Sequence, residues 1–428
     1  MFGCFYPCLR EKSALKKTRE ILSLLCVFII PFYFFRFSVF GIRTNIVECA
    51  ILFLLTVSLP FILKEKRLNL DREILNWFLP LVLLSIVLLS VLPAEDKVRA
   101  LGIFKGWFLI PAIFAWLLEK NFNTKNIRNI AIPLYFSLLL VSIWVLLQKL
   151  GYISTLFYQA GDGSFNQYLL EKRFFGPFES PNYLAMFLVP SFFISLSLVQ
   201  KVKIPHLTRN IFFFSLVLPL IALHLSGSRA GFLALFFGSL VYLNYRYINT
   251  QKSSERKPFF GGAFIILFIT INSVYLFFTS RFIQPGGGGD KIRVEIYQYS
   301  IEMVKNNFFS GVGLGNFINQ ITRLSEGNTA FHVFSLPYAL HPHNLFMALW
   351  LNIGLFGLLA FILIIAKFYS DALKTDSPLR AVILAAMTAI LFHGLFDTTY
   401  LKNDLAAIFW LLIAVSLVLK KQNEKDFS

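Results

Sequence analysis

Charged residues are scarce in this sequence. Only 15% of the 428 residues are charged, 57% are hydrophobic, and the mean hydropathy is +0.66. A soluble globular domain needs more polar surface than this composition supplies. No hydrophilic block between the apolar runs is long enough to form a separate soluble domain. The sequence therefore predicts a single integral membrane domain over 1–428.

Cysteine and nucleotide-binding motifs are equally sparse. The four cysteines lie near the N-terminus, with neither zinc-ligand spacing nor the spacing of a disulfide framework. No glycine-rich phosphate loop ends in Lys and Ser or Thr, so ATP is not implied and we expect no cofactor. Lys and Arg outnumber Asp and Glu by 40 to 23. They lie in short clusters between apolar runs, which argues against a nucleic-acid partner.

Long apolar runs are abundant, and they define the fold. Runs of roughly 17 to 25 mainly apolar residues are typical of transmembrane helices. We predict about twelve, near 21–40, 45–63, 74–93, 102–118, 131–149, 183–200, 211–226, 229–243, 259–279, 344–366, 380–397 and 404–419. The predicted fold class is an all-α polytopic membrane protein, with a long loop over 280–343 between the ninth and tenth helices.

The distribution of Lys and Arg predicts the orientation. If the N-terminus is cytoplasmic, the segments on the inside carry most of the Lys and Arg, and the short loops outside carry few. This asymmetry follows the positive-inside rule. Both termini are therefore expected in the cytoplasm, and the two long loops, 150–182 and 280–343, on the extracytoplasmic side.

The longer of these loops has internal structure. Pro285 and Gly286–Gly289 have little steric restriction and are predicted to form a hinge. Apolar residues then recur at helical spacing over 291–307, which indicates an amphipathic helix lying over the membrane. The glycines that follow, Gly311, Gly313 and Gly315, predict a turn.

The most specific motif closes this loop: His343-Asn344, then nine residues, then Gly354 and Gly357 in a G-x-x-G pattern. A histidine at the membrane edge, with an ordinary pKa of about 6.5, suits a general base that activates a hydroxyl group. Alternatively, His343 caps the helix at the membrane interface and the glycines permit close helix packing.

Three arginines are candidates for binding an anion. Arg229 lies in the tight turn Ser226–Gly231, and Arg293 lies on the predicted loop helix. The planar fork of donors on a guanidinium suits a phosphate or diphosphate. Arg173, in a run of turn-forming and aromatic residues, is expected to line the same cavity. Each of the three is alternatively an anchor at the membrane interface.

Two histidine pairs invite other interpretations. His341 and His343 are two residues apart, but no nearby run of Cys, Asp or Glu completes a metal site, so we expect no metal. His393 and Asp397 lie one helical turn apart, and we predict a structural hydrogen-bonded pair.

These motifs together resemble the O-antigen ligase and polymerase superfamily of integral membrane glycosyltransferases. The resemblance rests on Ser228–Gly231, on Arg293 with the glycine turn through Gly313 and Gly315, and on His343-Asn344 with its spaced glycines. It covers roughly 170–365. It implies a GT-C-like fold in the bacterial inner membrane, with the active site outside the cytoplasm.

The resemblance also implies a reaction and its participants. Members transfer a glycan from undecaprenyl diphosphate to an acceptor, without metal or nucleotide. By position, His343 would be the base, Arg229 and Arg293 would hold the diphosphate, and Asn344 and Arg173 would contribute to substrate binding. The partners would be the lipid-linked glycan donor, a lipid A core or another glycan as acceptor, and membrane lipids.

Several alternatives stay open. A polysaccharide polymerase shares the donor chemistry and elongates another lipid-linked glycan, and a protein acceptor is a third possibility. A transporter also suits twelve helices with both ends inside, but only Lys105 is a clear ionisable candidate at membrane depth. A channel would need a continuous polar lining. The unusual residues on one face favour an enzyme of the ligase type.

Overall fold

The structure is a computed structural model that describes residues 5–39, 41–64, 70–153, 172–199, 205–251, 288–336, 339–375 and 377–426. This part of the chain is mostly helical. In chain order the helices are α1 (Phe5–Ile29), α2 (Ile46–Lys64), α3 (Leu70–Leu89), α4 (Lys97–Ile103), α5 (Ile110–Asn121), α6 (Ala131–Lys149), α7 (Pro181–Val199), α8 (His206–Ser215), α9 (Val217–Ser226), α10 (Arg229–Gln251), α11 (Gly288–Asn306), α12 (Phe317–Leu324), α13 (Thr329–Phe334), α14 (Leu345–Leu373), α15 (Leu379–Gly394) and α16 (Asn403–Asp426).

Seven helical segments of this part are long and apolar enough to cross a membrane: Ile46–Lys64, Lys97–Asn121, Ile127–Lys149, Pro181–Leu198, His206–Ser226, Leu345–Leu373 and Asn403–Lys421. Two further apolar helices, Ile74–Leu89 and Leu379–Gly394, are shorter. The protein is therefore an all-α integral membrane protein. The total of twelve stays a prediction, and the span expected at 259–279 lies outside the described residues.

The first predicted span, 21–40, is wrong in its second half. Helix α1 ends at Ile29, and the turn that follows contains Pro31, which cannot donate to a continuing helix. Two antiparallel strands come next, β1 (Arg36–Val39) and β2 (Ile42–Asn45). Gly41 in their connection has φ +80°, a conformation that favours glycine. A β-hairpin therefore replaces the end of the expected helix.

The span expected at 102–118 contains a widened turn. The residues between α4 and α5, Phe104–Leu109, form a π-helix, and Pro111 follows directly after it. Because Pro111 has no N–H, the regular helical ladder is interrupted here. Lys105, in this turn, lies 2.7 Å from the carboxylate of Glu48 and donates to the carbonyl of Arg43. The lysine expected at membrane depth is thus paired.

The core lies around α7 and α16, which are the most enclosed of the spanning helices. Trp410 and Phe409 of α16 are fully buried, together with Phe361 of α14. A second, smaller core joins the segment 288–339 to α14. In it, Ile296 and Met303 of α11 pack with neighbours that include Leu351 of α14. The loop segment is therefore held against α14 by apolar packing as well as by hydrogen bonds.

The two ends of the bundle differ in their polar contacts. We call the end that carries the β-hairpin and residues 341–344 the loop end, and the end where α16 finishes the tail end. At the tail end, Lys421 pairs with Glu119, and Asp371 pairs with Lys367 and Lys420. The candidate site residues that contact one another, directly or through a shared neighbour, lie at the loop end.

Candidate active site at the loop end

Two histidines and one aspartate meet at the loop end. The Nε2 atom of His341 and the Nδ1 atom of His343 each lie 3.7 Å from Oδ1 of Asp397. The two imidazole rings have centroids 4.3 Å apart. The side chain of Asp397 is 4% exposed, whereas those of His341 and His343 are 19% and 17% exposed. The carboxylate is thus buried behind two partly accessible rings.

Asp397 is held from its other side. The amide of Asn182, at the start of α7, donates to Oδ2 over 3.0 Å, and the backbone N–H of Thr398 donates to Oδ1 over 2.8 Å. Burial by itself would raise the pKa of Asp397. Interactions with the rings of His343 and His341 and with the positive charge of Arg293 outweigh burial and lower the pKa, so the carboxylate is ionised.

His341 is neutral and has a defined tautomer. Burial, helped by the ring of His343 and by the positive charges of Arg293 and Lys402, outweighs the opposing charge of Asp397 and lowers the pKa of His341 to about 3. Its Nδ1 accepts a hydrogen bond of 3.3 Å from the backbone N–H of His343, so the single ring proton must lie on Nε2. That nitrogen is 3.3 Å from the hydroxyl of Tyr183 and faces Asp397.

The backbone of His343 is strained. Its φ is +48°, in the left-handed region, where a non-glycine residue costs roughly 1–3 kcal/mol. Two contacts hold this conformation: the bond from its N–H to His341, and a bond of 2.9 Å from the hydroxyl of Tyr297 to its carbonyl. The imidazole of this strained residue faces Asp397, with Nδ1 3.7 Å from Oδ1.

Asn344 caps α14. Its Oδ1 accepts from the backbone N–H of Met347 over 3.0 Å, and its amide donates to the carbonyl of Leu395 over 3.0 Å. The cap satisfies an N–H that the helix leaves without a partner. The second bond ties the start of α14 to the residues just before Asp397. Asn344 therefore fixes the spacing between His343 and Asp397.

Two of the three predicted arginines, Arg173 and Arg293, lie beside this cluster. Arg173 donates to the carbonyl of Ser226 over 3.1 Å and to Oδ1 of Asn182 over 3.4 Å, so it joins the turn before Arg229 to the residue that holds Asp397. Arg293 lies on α11, one turn before Tyr297, and its charge acts on both His341 and Asp397. Arg229 is exposed at the first position of α10.

The glycine motif has an unexpected role at Gly354. In the alternative interpretation Gly354 and Gly357 permit close packing between helices; in the structure α14 breaks at Gly354, where φ is +70°. The loop 309–312 fills the break: Leu355 donates to the carbonyl of Phe309 over 3.1 Å, and Val312 donates to the carbonyl of Leu351 over 2.7 Å. A β-carbon at Gly354 would overlap the carbonyl oxygen of Phe309.

The other glycines belong to the same loop. Gly313 and Gly315 have φ values of +95° and +82°, as the predicted turn requires. The N–H of Gly315 donates to the side chain of Asn352 over 2.8 Å. Gly357 is helical on the far side of the break, and a β-carbon there would overlap the side chain of Ile353. The expected hinge at Gly286–Gly289 lies partly outside the described residues, and Gly288 begins α11.

A second ionic group lies beside the cluster. Glu179 pairs with buried Lys402 and, over 2.6 Å, with Arg36 of the hairpin. Lys402 also donates to the hydroxyl of Tyr33, and its ammonium lies 3.7 Å from the ring centroid of Tyr183. Burial alone would raise the pKa of Glu179, but Lys402 and Arg36 outweigh it and lower the pKa. Lys402 of this group lies against the ring of Tyr183, and the hydroxyl of Tyr183 contacts His341.

Two predictions about pairing need correction. Asp397 does not bond to the ring of His393, whose nitrogens have no hydrogen-bond partner among the described residues; its partners are Asn182, Thr398 and the two loop histidines. The stated reason against a metal is also wrong, because Asp397 places a third candidate ligand beside His341 and His343. The proton on Nε2 of His341 nevertheless occupies the lone pair that would face an ion.

Sequence reasoning did not identify Asn182, Tyr183, Tyr297 or Lys402 as neighbours of His343. They come from three separate segments, and no spacing pattern connects them. The one available signal was polarity, since each is a polar or amphipathic residue at a predicted helix end or in a loop.

Comparison with known proteins gives one family. The model of the family described as O-Antigen ligase matches residues 214–362. The match contains Arg229, Arg293 and His343, and it ends before Asp397. No curated protein matches the chain. The resemblance predicted from the motifs is therefore confirmed at the level of the superfamily.

Proposed function

We propose, from the premise that this chain contains an O-antigen ligase family segment, that it transfers a glycan from undecaprenyl diphosphate to a hydroxyl of the lipid A core on the periplasmic face of the inner membrane. The observation that supports the proposal best is the placement of His343 against Asp397. The loop end, which carries this pair, is then the periplasmic end, and both termini are cytoplasmic.

His343 acts as the general base in this proposal. With the proton of the neutral ring on Nδ1, facing Asp397 over 3.7 Å, Nε2 is left with a lone pair for the acceptor hydroxyl. When Nε2 takes the proton, the ring becomes cationic beside an ionised carboxylate. Asp397 stabilises that cation and orients the ring, as the carboxylate does in other aspartate–histidine pairs. General base catalysis of this kind contributes about 10²- to 10⁴-fold.

His341 and Tyr297 position the base. One accepts from the backbone N–H of His343, and the other donates to its carbonyl, so the strained backbone conformation has a partner on each side. Tyr297 and Arg293 lie one turn apart on α11. A diphosphate bound by Arg293 would therefore contact the helix that also holds His343.

The arginines hold the leaving group. The acceptor oxygen attacks the anomeric carbon as its proton passes to His343, and the bond from that carbon to the diphosphate oxygen breaks. The departing electron pair stays on the diphosphate, where Arg229 and Arg293 balance the charge. Attack opposite to the leaving group inverts the anomeric carbon. Arg173 and Asn344 support this site through Asn182 and the α14 cap.

The test is reconstitution of the purified protein with undecaprenyl-diphosphate-linked glycan and lipid A core, without metal or nucleotide, followed by a gel shift of the core. We expect the unchanged protein to transfer glycan and His343→Ala to lose transfer. Arg229→Ala and Arg293→Ala should lower the rate by weakening donor binding. His332→Ala, which removes a histidine of α13 that bonds to Ser325, is the matched control and should retain transfer.

The outcomes separate the candidate functions. Glycan on the core that depends on His343 supports the ligase. Elongation of the lipid-linked glycan with the core left unmodified would replace the ligase proposal with a polymerase, since the two share donor chemistry. Transfer that survives in His343→Ala would remove the base from the mechanism, and the absence of either reaction would overturn the proposal.

A further inference from the structure

The β-hairpin has two chemically different faces. In its register Phe37 pairs with Thr44, and Val39 pairs with Ile42. Because side chains of cross-strand partners share a face and alternate along each strand, these four residues lie on one side. The other side carries Arg36, Ser38, Arg43 and Asn45. One face is therefore mainly apolar and the other entirely polar.

Polar residues of the hairpin make its contacts with the rest of the protein, including Thr44 on the mainly apolar face, which donates to Oε2 of Glu48 over 2.9 Å. Arg36 pairs with Glu179 over 2.6 Å, and Oδ1 of Asn45, which is buried, accepts from the N–H of Glu48. On the apolar face, Phe37, Val39 and Ile42 are 45%, 42% and 62% exposed. None of these three belongs to the hydrophobic cores found in the described part of the chain.

Apolar side chains on this hairpin are exposed together with Arg36, Ser38 and Arg43, and only Asn45 is buried. A hairpin on a soluble protein buries its apolar side chains against the core. A two-stranded hairpin with an unburied apolar face is also at best marginally stable in water. Exposure of these apolar side chains is what a lipid environment favours, because apolar side chains facing acyl chains cost nothing there.

The position of the hairpin fits a lipid contact. Strand β2 runs directly into α2, which begins at Ile46 and is one of the helices apolar enough to span the membrane. The hairpin therefore lies where a spanning helix leaves the hydrocarbon layer. Backbone groups are paired within the hairpin, and Arg36 and Arg43 on the polar face are long enough to reach the headgroup layer.

We propose that the apolar face of the hairpin, formed by Phe37, Val39 and Ile42, lies in the bilayer at the loop end and contacts lipid acyl chains. The hairpin then separates lipid from the candidate active site. Arg36 on its polar face pairs with Glu179, which also pairs with Lys402. Lys402 in turn lies against the ring of Tyr183. This inference does not depend on the reaction that the protein catalyses.

Site-directed spin labelling of the whole protein in nanodiscs tests the proposal. In a cysteine-free parent, single cysteines at Val39 and Ile42 carry the label, and Ser38→Cys is the matched neighbour on the polar face. We expect collisions with oxygen, which concentrates in lipid, to exceed collisions with a water-soluble nickel chelate at Val39 and Ile42. The ratio should reverse at Ser38.

A second measurement keeps the test independent of cysteine removal. Val39→Trp in the otherwise unchanged protein should show additional fluorescence quenching by lipids brominated on the acyl chain, relative to the unchanged protein, and Ser38→Trp should not. Equal access of the water-soluble reagent to both faces would overturn the proposal. So would a disulfide-linked dimer formed through Val39→Cys, since it would identify a second copy of the chain as the occupant of this face.

Discussion

Two buried carboxylates, one at each end of the bundle, have partners of different kinds. At the tail end, Glu119 accepts from the indole of Trp77 over 2.7 Å and pairs with Lys421 over 2.9 Å. At the loop end, Asp397 is held by neutral donors and faces two histidines at 3.7 Å. A lysine is a lasting positive charge, whereas His341 is neutral in the folded protein.

The difference separates structural from chemical roles. A close pair between permanent charges stabilises the fold when its geometry is good, and losing one partner leaves a buried charge uncompensated. A looser pair with a histidine leaves room for the proton to move. The strained backbone of His343 occurs at the second kind of site, where strain that the surrounding structure maintains is expected.

The largest effect should come from removing the charge at Asp397. In Asp397→Asn the amide cannot stabilise the imidazolium of His343, so we expect glycan transfer to fall by about 10²- to 10⁴-fold in the reconstituted assay. Glu119→Gln is the matched change at the tail end. It should lower the thermal unfolding midpoint and leave transfer per folded molecule unchanged. An equal loss of transfer in both variants would remove the distinction between the two ends.

A smaller effect, on stability, is expected where the loop 309–312 enters α14. In Gly354→Ala the new β-carbon overlaps the carbonyl of Phe309 at a φ of +70°, and we expect a loss of more than about 2 kcal/mol. Gly102→Ala, in α4, is the control, because a β-carbon there meets nothing within 4 Å. That change should be neutral or stabilise by up to about 1 kcal/mol. Thermal unfolding of both variants in detergent measures the difference.

If the two glycine variants are equally stable, the break in α14 at Gly354 does not contribute to the stability of the fold. Equal stability would also mean that the loop end, like the tail end, is held by side-chain pairs alone.

The sequence predicts most of the described apolar helices, for physical reasons. Apolar runs of membrane length have few alternative structures, and His343 and Asn344 lie at a predicted helix start as the structure has them. The hairpin was missed because Phe35–Phe40 is as apolar as a helix end, and the alternation of Arg36, Phe37, Ser38 and Val39 covers only four residues. Short strands give little periodicity to detect.

The contact between Asp397 and His343 was missed for a different reason. Asp397 is close to His393 in sequence, so helical spacing suggested that pair. The structure turns the chain at the end of α15 instead, and Asp397 faces the residues before α14. Contacts between helix ends that are distant in sequence depend on how the helices pack, and hydropathy carries no information about that. The break at Gly354 likewise depends on the loop that fills it.

The smallest expected effect is a change in how stability depends on pH. The pKa of His341 is lowered to about 3 in the folded protein, against about 6.5 when unfolded, so between these values the unfolded chain binds more protons. Stability is therefore unaffected above about pH 6.5 and falls as the pH drops below it, by at most about 1.4 kcal/mol per pH unit for one group. The lowered pKa of Asp397 acts in the same direction, but only below about pH 4.

His341→Asn isolates this contribution, because the amide oxygen can still accept from the N–H of His343 but cannot take up a proton. From pH 7.5 to pH 5 we expect the thermal unfolding midpoint of the variant to fall less than that of the unchanged protein. His332→Asn controls for the loss of any histidine. Parallel pH profiles for all three proteins would mean that His341 is as easily protonated as in the unfolded chain, and the neutral tautomer that orients His343 would have to be abandoned.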